Sequence, residues 1–354
     1  MTSVQVLETT LRDGSYAINF SFTTADTAAI ASGLEAVGFR WIEVGHGVGL
    51  GAGERGYGAA AASDEEYMQA ASEALKRARW GMFCIPGIAR LEDVDLAARY
   101  GMGFIRVGTN VTEVRDSEPF IRRAKEHGLY VAANYMKSYA LPPAGFADLV
   151  RMSENFGADM VYLVDSAGSM FPHEVADYYR AIRSVTALPV GFHGHDNLGL
   201  AIANSLEMVR QGAGFVDTSL QGLGRSAGNA PTELMAAALA RMGCETGIDF
   251  LGALRLGYKY VQPLMRARGR MPLDVVAGFA GFHSSFMPNV LKVASRRRVD
   301  AAQLIIAMCQ LDKVHADEAV LDKLAAGLEA ARGTYLDDYG FSLYVGQEES
   351  GRKA

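Results

Sequence analysis

A chain of 354 residues with 49% apolar and 21% charged side chains can bury one large core or two ordinary ones, and it is too apolar to be disordered. Its formal net charge is −6, and its one basic block is SRRRVD at 295–300, so composition excludes nucleic acid as the expected partner. The sequence opens without a basic and apolar leader, and no apolar run approaches the roughly 18 residues that a membrane span needs, which predicts a cytoplasmic protein with no membrane partner.

In chain order, short β-branched or aromatic runs fall at VQVLETTL (4–11), FRWIEVG (39–45), RWGMFCIPG (79–87), FIRVGTN (104–110), YVAANYM (130–136), MVYLVDS (160–166), PVGFHGHD (189–196) and FVDTSLQGLG (215–224). Between them, segments such as TTADTAAIASGLEAVG and NLGLAIANSLEMVRQG repeat apolar residues at intervals of three and four and end in glycine, which predicts helices with left-handed C-caps. Eight strands alternating with eight helices predict a closed parallel (β/α)8 TIM barrel over residues 1–250. The alternative, an open doubly wound sheet, would carry GxGxxG after its first strand, where this chain has RDGSYAINF. Beyond residue 250 only helical patterns follow, which gives a helical C-terminal region over 251–345 and a frayed tail over 346–354. Cys84, Cys244 and Cys309 are odd in number and widely spaced, so they read as buried apolar side chains in a reducing compartment.

In such a barrel the C-terminal ends of all strands face one pocket. Asp13 stands at that end of the first strand, and His193 and His195 stand two apart on one face of the seventh. One carboxylate and two imidazoles without a thiolate suit Mn²⁺, Mg²⁺ or Co²⁺, with Zn²⁺ also allowed. Arg12, next to Asp13, would hold the oxygen on which charge develops when a carbon–carbon bond to a 2-oxo acid breaks.

TLRDG (10–14), EVGHG (43–47), VDSAG (164–168), GFHGHDNLGLAIANS (191–205) and GLGRSAGNAPTE (222–233) together resemble the metal-dependent lyases and aldolases of the HMG-CoA lyase-like superfamily. FCIPGI (83–88), the NLGLAIANS helix and AGFHSSF (280–286) make the 4-hydroxy-2-oxovalerate aldolases the most similar branch, over about residues 5–325. The resemblance implies a class II, divalent-metal pyruvate aldolase, most simply with Mn²⁺, that cleaves a 4-hydroxy-2-oxo acid to pyruvate and an aldehyde. It further implies Asp13, His193 and His195 as metal ligands, Arg12 as the enolate-stabilising arginine, Ser166 as a substrate contact and an acylating aldehyde dehydrogenase as partner, while the helical surface expected near the C-terminus predicts a homo-oligomer. An acyl-CoA lyase, a Claisen-type synthase or a catalytically silent scaffold subunit are the alternatives.

The family pattern has a basic histidine two residues after the glycine of RDG and a tyrosine before Ser-Ser-Phe; this chain has Tyr16 and His283 there. A tyrosine of pKa near 10 is a poor base at neutral pH and an imidazole near 6.5 a good one. His283 is therefore expected to move the proton and Tyr16 to orient the substrate hydroxyl. QLDKVHADEAV (310–320) also stands where the family has a Gly-Gly-Gln-Glu type sequence. His46 is read as a pocket or core residue, Asn229 as a group supporting the ligands or closing the loop, with the fourth-ligand role it has in some relatives as the alternative, GVGLGAGERGYG (47–58) as a mobile loop over the pocket, and Lys137 as unneeded for a Schiff base. His127, His173 and His315 are expected at the surface.

Overall fold

The computed structural model describes residues 4–265 and 272–330. The expected tail at 346–354 and the end of the helical region lie outside the described residues. Eight parallel strands close on themselves in chain order: β1 (Gln5–Glu8), β2 (Trp41–Glu43), β3 (Arg79–Cys84), β4 (Phe104–Asn110), β5 (Tyr130–Met136), β6 (Met160–Asp165), β7 (Val190–Gly194) and β8 (Phe215–Thr218). The ring is completed by β8 pairing with β1, Gln5 opposite Phe215 and Glu8 opposite Thr218. The (β/α)8 barrel read from the sequence is the observed fold, and the open sheet is excluded by that last pairing.

Outer helices α1 (Thr24–Ala36), α2 (Asp64–Ala74), α3 (Leu91–Arg99), α4 (Glu118–Glu126), α5 (Pro143–Phe156), α6 (Pro172–Arg183), α7 (Ala201–Gln211) and α8 (Thr232–Arg241) follow their strands. Capping boxes start α1 and α2, where Thr23 and Ser63 exchange hydrogen bonds with Asp26 and Glu66. Gly157 and Gly212 end α5 and α7 at φ of 105° and 107°, a left-handed conformation that a side chain would strain.

Side-chain alternation along the strands fills the barrel in layers. At the bottom Trp41 packs on Phe104, Tyr130 and Phe215 with ring centroids 5.1–5.3 Å apart, a dry aromatic floor. Two residues further along the same strands come Glu43, Arg106 and Asp217, all fully buried, so a charged layer lies directly on the apolar one. Nothing in composition or periodicity predicts so many charges inside.

After the barrel come α9 (Phe250–Leu256), α10 (Pro272–Ala280), α11 (Met287–Arg297), α12 (Ala301–Leu311) and α13 (Glu318–Ala325). Ala253 of α9 is buried in the barrel's own core, whereas Leu273, Phe282, Val290, Ile305 and Leu321 form a second, separate core. Among the described residues, no helix is long and apolar enough to cross a membrane.

Candidate metal centre and active site

The stretch after β1 does not continue as a strand. At Asp13 the chain tightens into a 3-10 turn running to Ile18, and this change of backbone turns Arg12 and Asp13 inward together. Strand alternation would have separated them; instead Arg12 Nη1 donates to Asp13 Oδ2 at 2.7 Å, and both side chains are buried.

Asp13, His193 and His195 each offer one ligand atom, and these atoms lie within 4.8 Å of one another. Hydrogen bonds select which nitrogens face the centre. His193 Nδ1 lies 2.9 Å from Asp217 Oδ2, and His195 Nδ1 lies 3.2 Å from the Gly228 carbonyl. Both acceptors require a hydrogen on Nδ1, which leaves the two Nε2 lone pairs for a cation. Burial would raise Asp13, but Arg12, His195 and His193 outweigh it and hold the carboxyl well below the usual carboxylate range. Burial, opposed in part by Asp13, brings His195 down to about 3. One ionised carboxylate and two imidazoles whose Nε2 atoms face inward fit a divalent cation. Asn229 braces this set by donating Nδ2 to Asp13 Oδ1 at 2.9 Å, and its Oδ1 has no hydrogen bond among the described residues.

Tyr16, 7% exposed, sits on the turn that carries Asp13, with Phe20 against its ring edge at 5.3 Å and the Arg225 guanidinium over its face at 5.3 Å. Ser166 Oγ, at the end of β6, accepts the Lys137 backbone N–H at 2.9 Å, a contact that the left-handed φ of 59° at Lys137 makes reachable. His283 precedes α11 and is 1% exposed. Its Nδ1 lies 2.6 Å from Ser285 Oγ and 3.2 Å from the Ser285 backbone nitrogen, while its Nε2 has no partner among the described residues. Burial, with the positive charges of Arg225 and Lys137 and then His195 nearby, pushes His283 well below the ordinary imidazole range. His283 therefore lies in the same electrostatic neighbourhood as the metal ligands. It lines a cavity together with Ile85, Pro86 and Ile88 of the FCIPGI stretch, Lys137 and Phe286.

His46, read as a pocket or core residue, is a satisfied buried group: its Nε2–H donates to the Gly58 carbonyl at 3.1 Å, its Nδ1 accepts the Val48 N–H at 3.1 Å, and its ring stacks on Phe20 at 4.0 Å. The glycine-rich segment 47–58, expected as a mobile loop, is instead pinned by that histidine, by Gly51 N–H on Asp64 at 2.6 Å and by a two-pronged Arg55–Asp93 pair. His127, His173 and His315 are exposed, as expected, His127 on Asp95 at 2.6 Å and His173 beside Phe171, and His315 also lines the cavity that holds His283. Sequence reasoning passed over the roles of Glu43, Arg106, Asp217 and Arg225; the signal for the first three was a charge two residues beyond an inward aromatic in WIE, FIR and FVD, and Arg225 carried none.

A family model described as HMGL-like matches residues 3–257. The chain is 38% identical to the 4-hydroxy-2-oxovalerate aldolase of Carboxydothermus hydrogenoformans, over 93% of this chain and 98% of that one. It is 37% identical to the 4-hydroxy-2-oxovalerate aldolase of Moorella thermoacetica, over 94% and 98%. Among solved structures, the carboxyl transferase domain of Rhizobium etli pyruvate carboxylase superposes with a TM-score of 0.75 at 19% identity, covering 92% of this chain and 60% of that one. The HMG-CoA lyase of Brucella melitensis superposes with a TM-score of 0.65 at 22% identity, covering 75% and 100%. At these identities the two structures speak for the fold alone.

Proposed function

This chain belongs to the HMGL-like family, and from that premise we propose that it is a metal-dependent carbon–carbon lyase, a pyruvate aldolase that cleaves a 4-hydroxy-2-oxo acid reversibly to pyruvate and an aldehyde. The observation that carries the reading is the convergence of Asp13, His193 and His195 beside Arg12 at the barrel mouth. Those three residues would hold a divalent cation, with Mn²⁺ our choice for an oxygen and nitrogen donor set. When bound, such a cation supplies Lewis-acid polarisation of the 2-oxo group.

The protein's own groups do the rest. Ser166 anchors the oxo-acid end, and Tyr16 orients the C4 hydroxyl. His283 accepts the proton of that hydroxyl at Nε2; the C3–C4 electron pair moves to C2–C3 as the aldehyde carbonyl forms, and Arg12 faces the oxygen on which the charge collects. The lowered pKa of His283 keeps it unprotonated at neutral pH. The Ser285 backbone N–H donates to His283 Nδ1 at 3.2 Å, which places the ring hydrogen on Nε2; the base-competent tautomer has its hydrogen on Nδ1, gives up that bond and donates to Ser285 Oγ, 2.6 Å away.

The cavity beside His283, walled by Ile85, Ile88 and Phe286 with Lys137 at its edge, supports an aldehyde larger or more polar than acetaldehyde. We further propose a cytoplasmic barrel unit over 1–250 with a helical region over 251–345, an acylating aldehyde dehydrogenase as receiver of the aldehyde, and a homo-oligomer. Leu251, Leu254 and Tyr258, exposed at intervals of three and four, support the last. The test is incubation with Mn²⁺, pyruvate and a panel of aldehydes. Formation of 4-hydroxy-2-oxo acids, lost by about 10²–10⁴-fold in His283→Ala with pyruvate affinity kept, is expected. Acyl-CoA cleavage without any such product would replace the reading with an acyl-CoA lyase.

A further inference from the structure

The charged layer in the barrel is a chain of hydrogen bonds that begins and ends at the metal ligands. Asp13 Oδ2 accepts from Arg12 Nη1 at 2.7 Å, and Arg12 Nε donates to Glu43 Oε2 at 2.6 Å. Arg106 grips Glu43 with two prongs, its Nε on Oε1 at 2.7 Å and its Nη2 on Oε2, and its Nη1 reaches Asp217 Oδ2. That same Asp217 oxygen takes His193 Nδ1 at 2.9 Å, and His193 Nε2 returns to Asp13 Oδ2 at 3.9 Å. Five strands or strand ends supply the members, and none of them is more than 5% exposed.

Stability does not account for this arrangement, because a buried ion pair returns little more than the desolvation it costs, and an apolar layer would hold the barrel as well. The surroundings are also built around it. Arg106 is sandwiched between Phe83, 5.5 Å from its guanidinium, and Tyr162, at 5.1 Å, and Arg12 lies over the same Phe83 at 4.7 Å. Glycines clear the space: a Cβ at Gly108 would fall 2.3 Å from the Phe83 ring, and one at Gly191 2.5 Å from Tyr162. Glu43 and Asp217, which burial alone would raise, are held below the usual carboxylate range, chiefly by Arg106.

We propose that Asp217, Arg106 and Glu43 are positioning residues that tie the metal-ligating face of His193 to the alignment of Arg12, so that cation affinity and enolate stabilisation are set by one rigid unit. This rests on the metal site and the role of Arg12 proposed above. Asp217 holds His193 with its hydrogen on Nδ1, and Glu43 holds the Arg12 fork; Arg106 is the only link between the two carboxylates among the described residues.

The test is Mn²⁺ calorimetry and pyruvate turnover on the intact chain, with Asp13→Asn as reference. If the wild type binds no Mn²⁺, or Asp13→Asn binds it equally well, the metal site itself is wrong. Given a functioning site, Asp217→Asn should weaken Mn²⁺ by about 10–100-fold. Glu43→Gln should lower kcat and, because Arg106 loses one anchor, also weaken Mn²⁺, by a smaller factor than Asp217→Asn does; an Mn²⁺ affinity equal to wild type in folded Glu43→Gln would break the link. The double variant should lose less than the product of the two single losses, since breaking either end already frees Arg106. Asp217→Asn that is folded and binds Mn²⁺ as the wild type does overturns the proposal, as do fully multiplicative losses. Should Asp217→Asn fail to fold, Asp217→Asn/Arg106→Met removes both charges together, and an undiminished Mn²⁺ affinity there is equally fatal.

Discussion

Protonating His46 should loosen the loop beside the site, and the size of the effect can be worked out. Burial lowers this imidazole from the ordinary 6.5 to about 4. A base depressed in the folded state contributes stability that is complete above its unfolded pKa and is lost as pH falls toward the folded one. At about 1.4 kcal/mol per pH unit, the fall from 6.5 to about 4 corresponds to roughly 3 kcal/mol, of which about 2 kcal/mol is gone at pH 5. The structural reason is direct: a protonated Nδ1 can no longer accept the Val48 N–H, and the ring sits 1% exposed between Phe20 and the loop. His46→Leu preserves bulk and abolishes titration. At pH 7 it should be about 2 kcal/mol less stable than wild type, because the Val48 N–H and Gly58 carbonyl are stranded. At pH 5 the gap should nearly vanish. Urea unfolding of both proteins at the two pH values, with chelator present so that metal loss does not contribute, measures this. A gap of equal size at pH 7 and pH 5 would refute the assignment of His46 as a neutral latch.

Two further outcomes are expected. Ser285→Ala leaves only the backbone N–H on His283 Nδ1, which favours the tautomer with its hydrogen on Nε2; aldol cleavage should fall at least tenfold with Mn²⁺ and pyruvate binding intact, and an unchanged kcat would remove Ser285 from the mechanism. Gly49→Ala would place a Cβ 2.5 Å from the Phe83 carbonyl at a φ of +117°, so it should lower stability by roughly 2 kcal/mol or more, read as a fall in thermal midpoint.

Much of the architecture was legible locally. Strand and helix periods depend on neighbours within a few residues, and the glycines that close helices act within one turn, so the eightfold alternation in the sequence is the barrel that forms. Asp13, His193 and His195 were also readable, because in this fold the position of a residue along its strand decides which end of the barrel it faces.

That Arg12 and Asp13 both reach the pocket was expected, but their direct hydrogen bond was not, since it depends on the 3-10 turn that begins at Asp13. Nor was the role of His46, whose partners Phe20, Val48 and Gly58 come from two different connections. The sequence by itself determined the barrel and where its metal ligands stand. Only the tertiary structure decided that Glu43, Arg106 and Asp217, on strands 63 and 111 residues apart, meet in one dry layer. Periodicity says which way a side chain points, but whether buried charges cancel depends on which strands close around them.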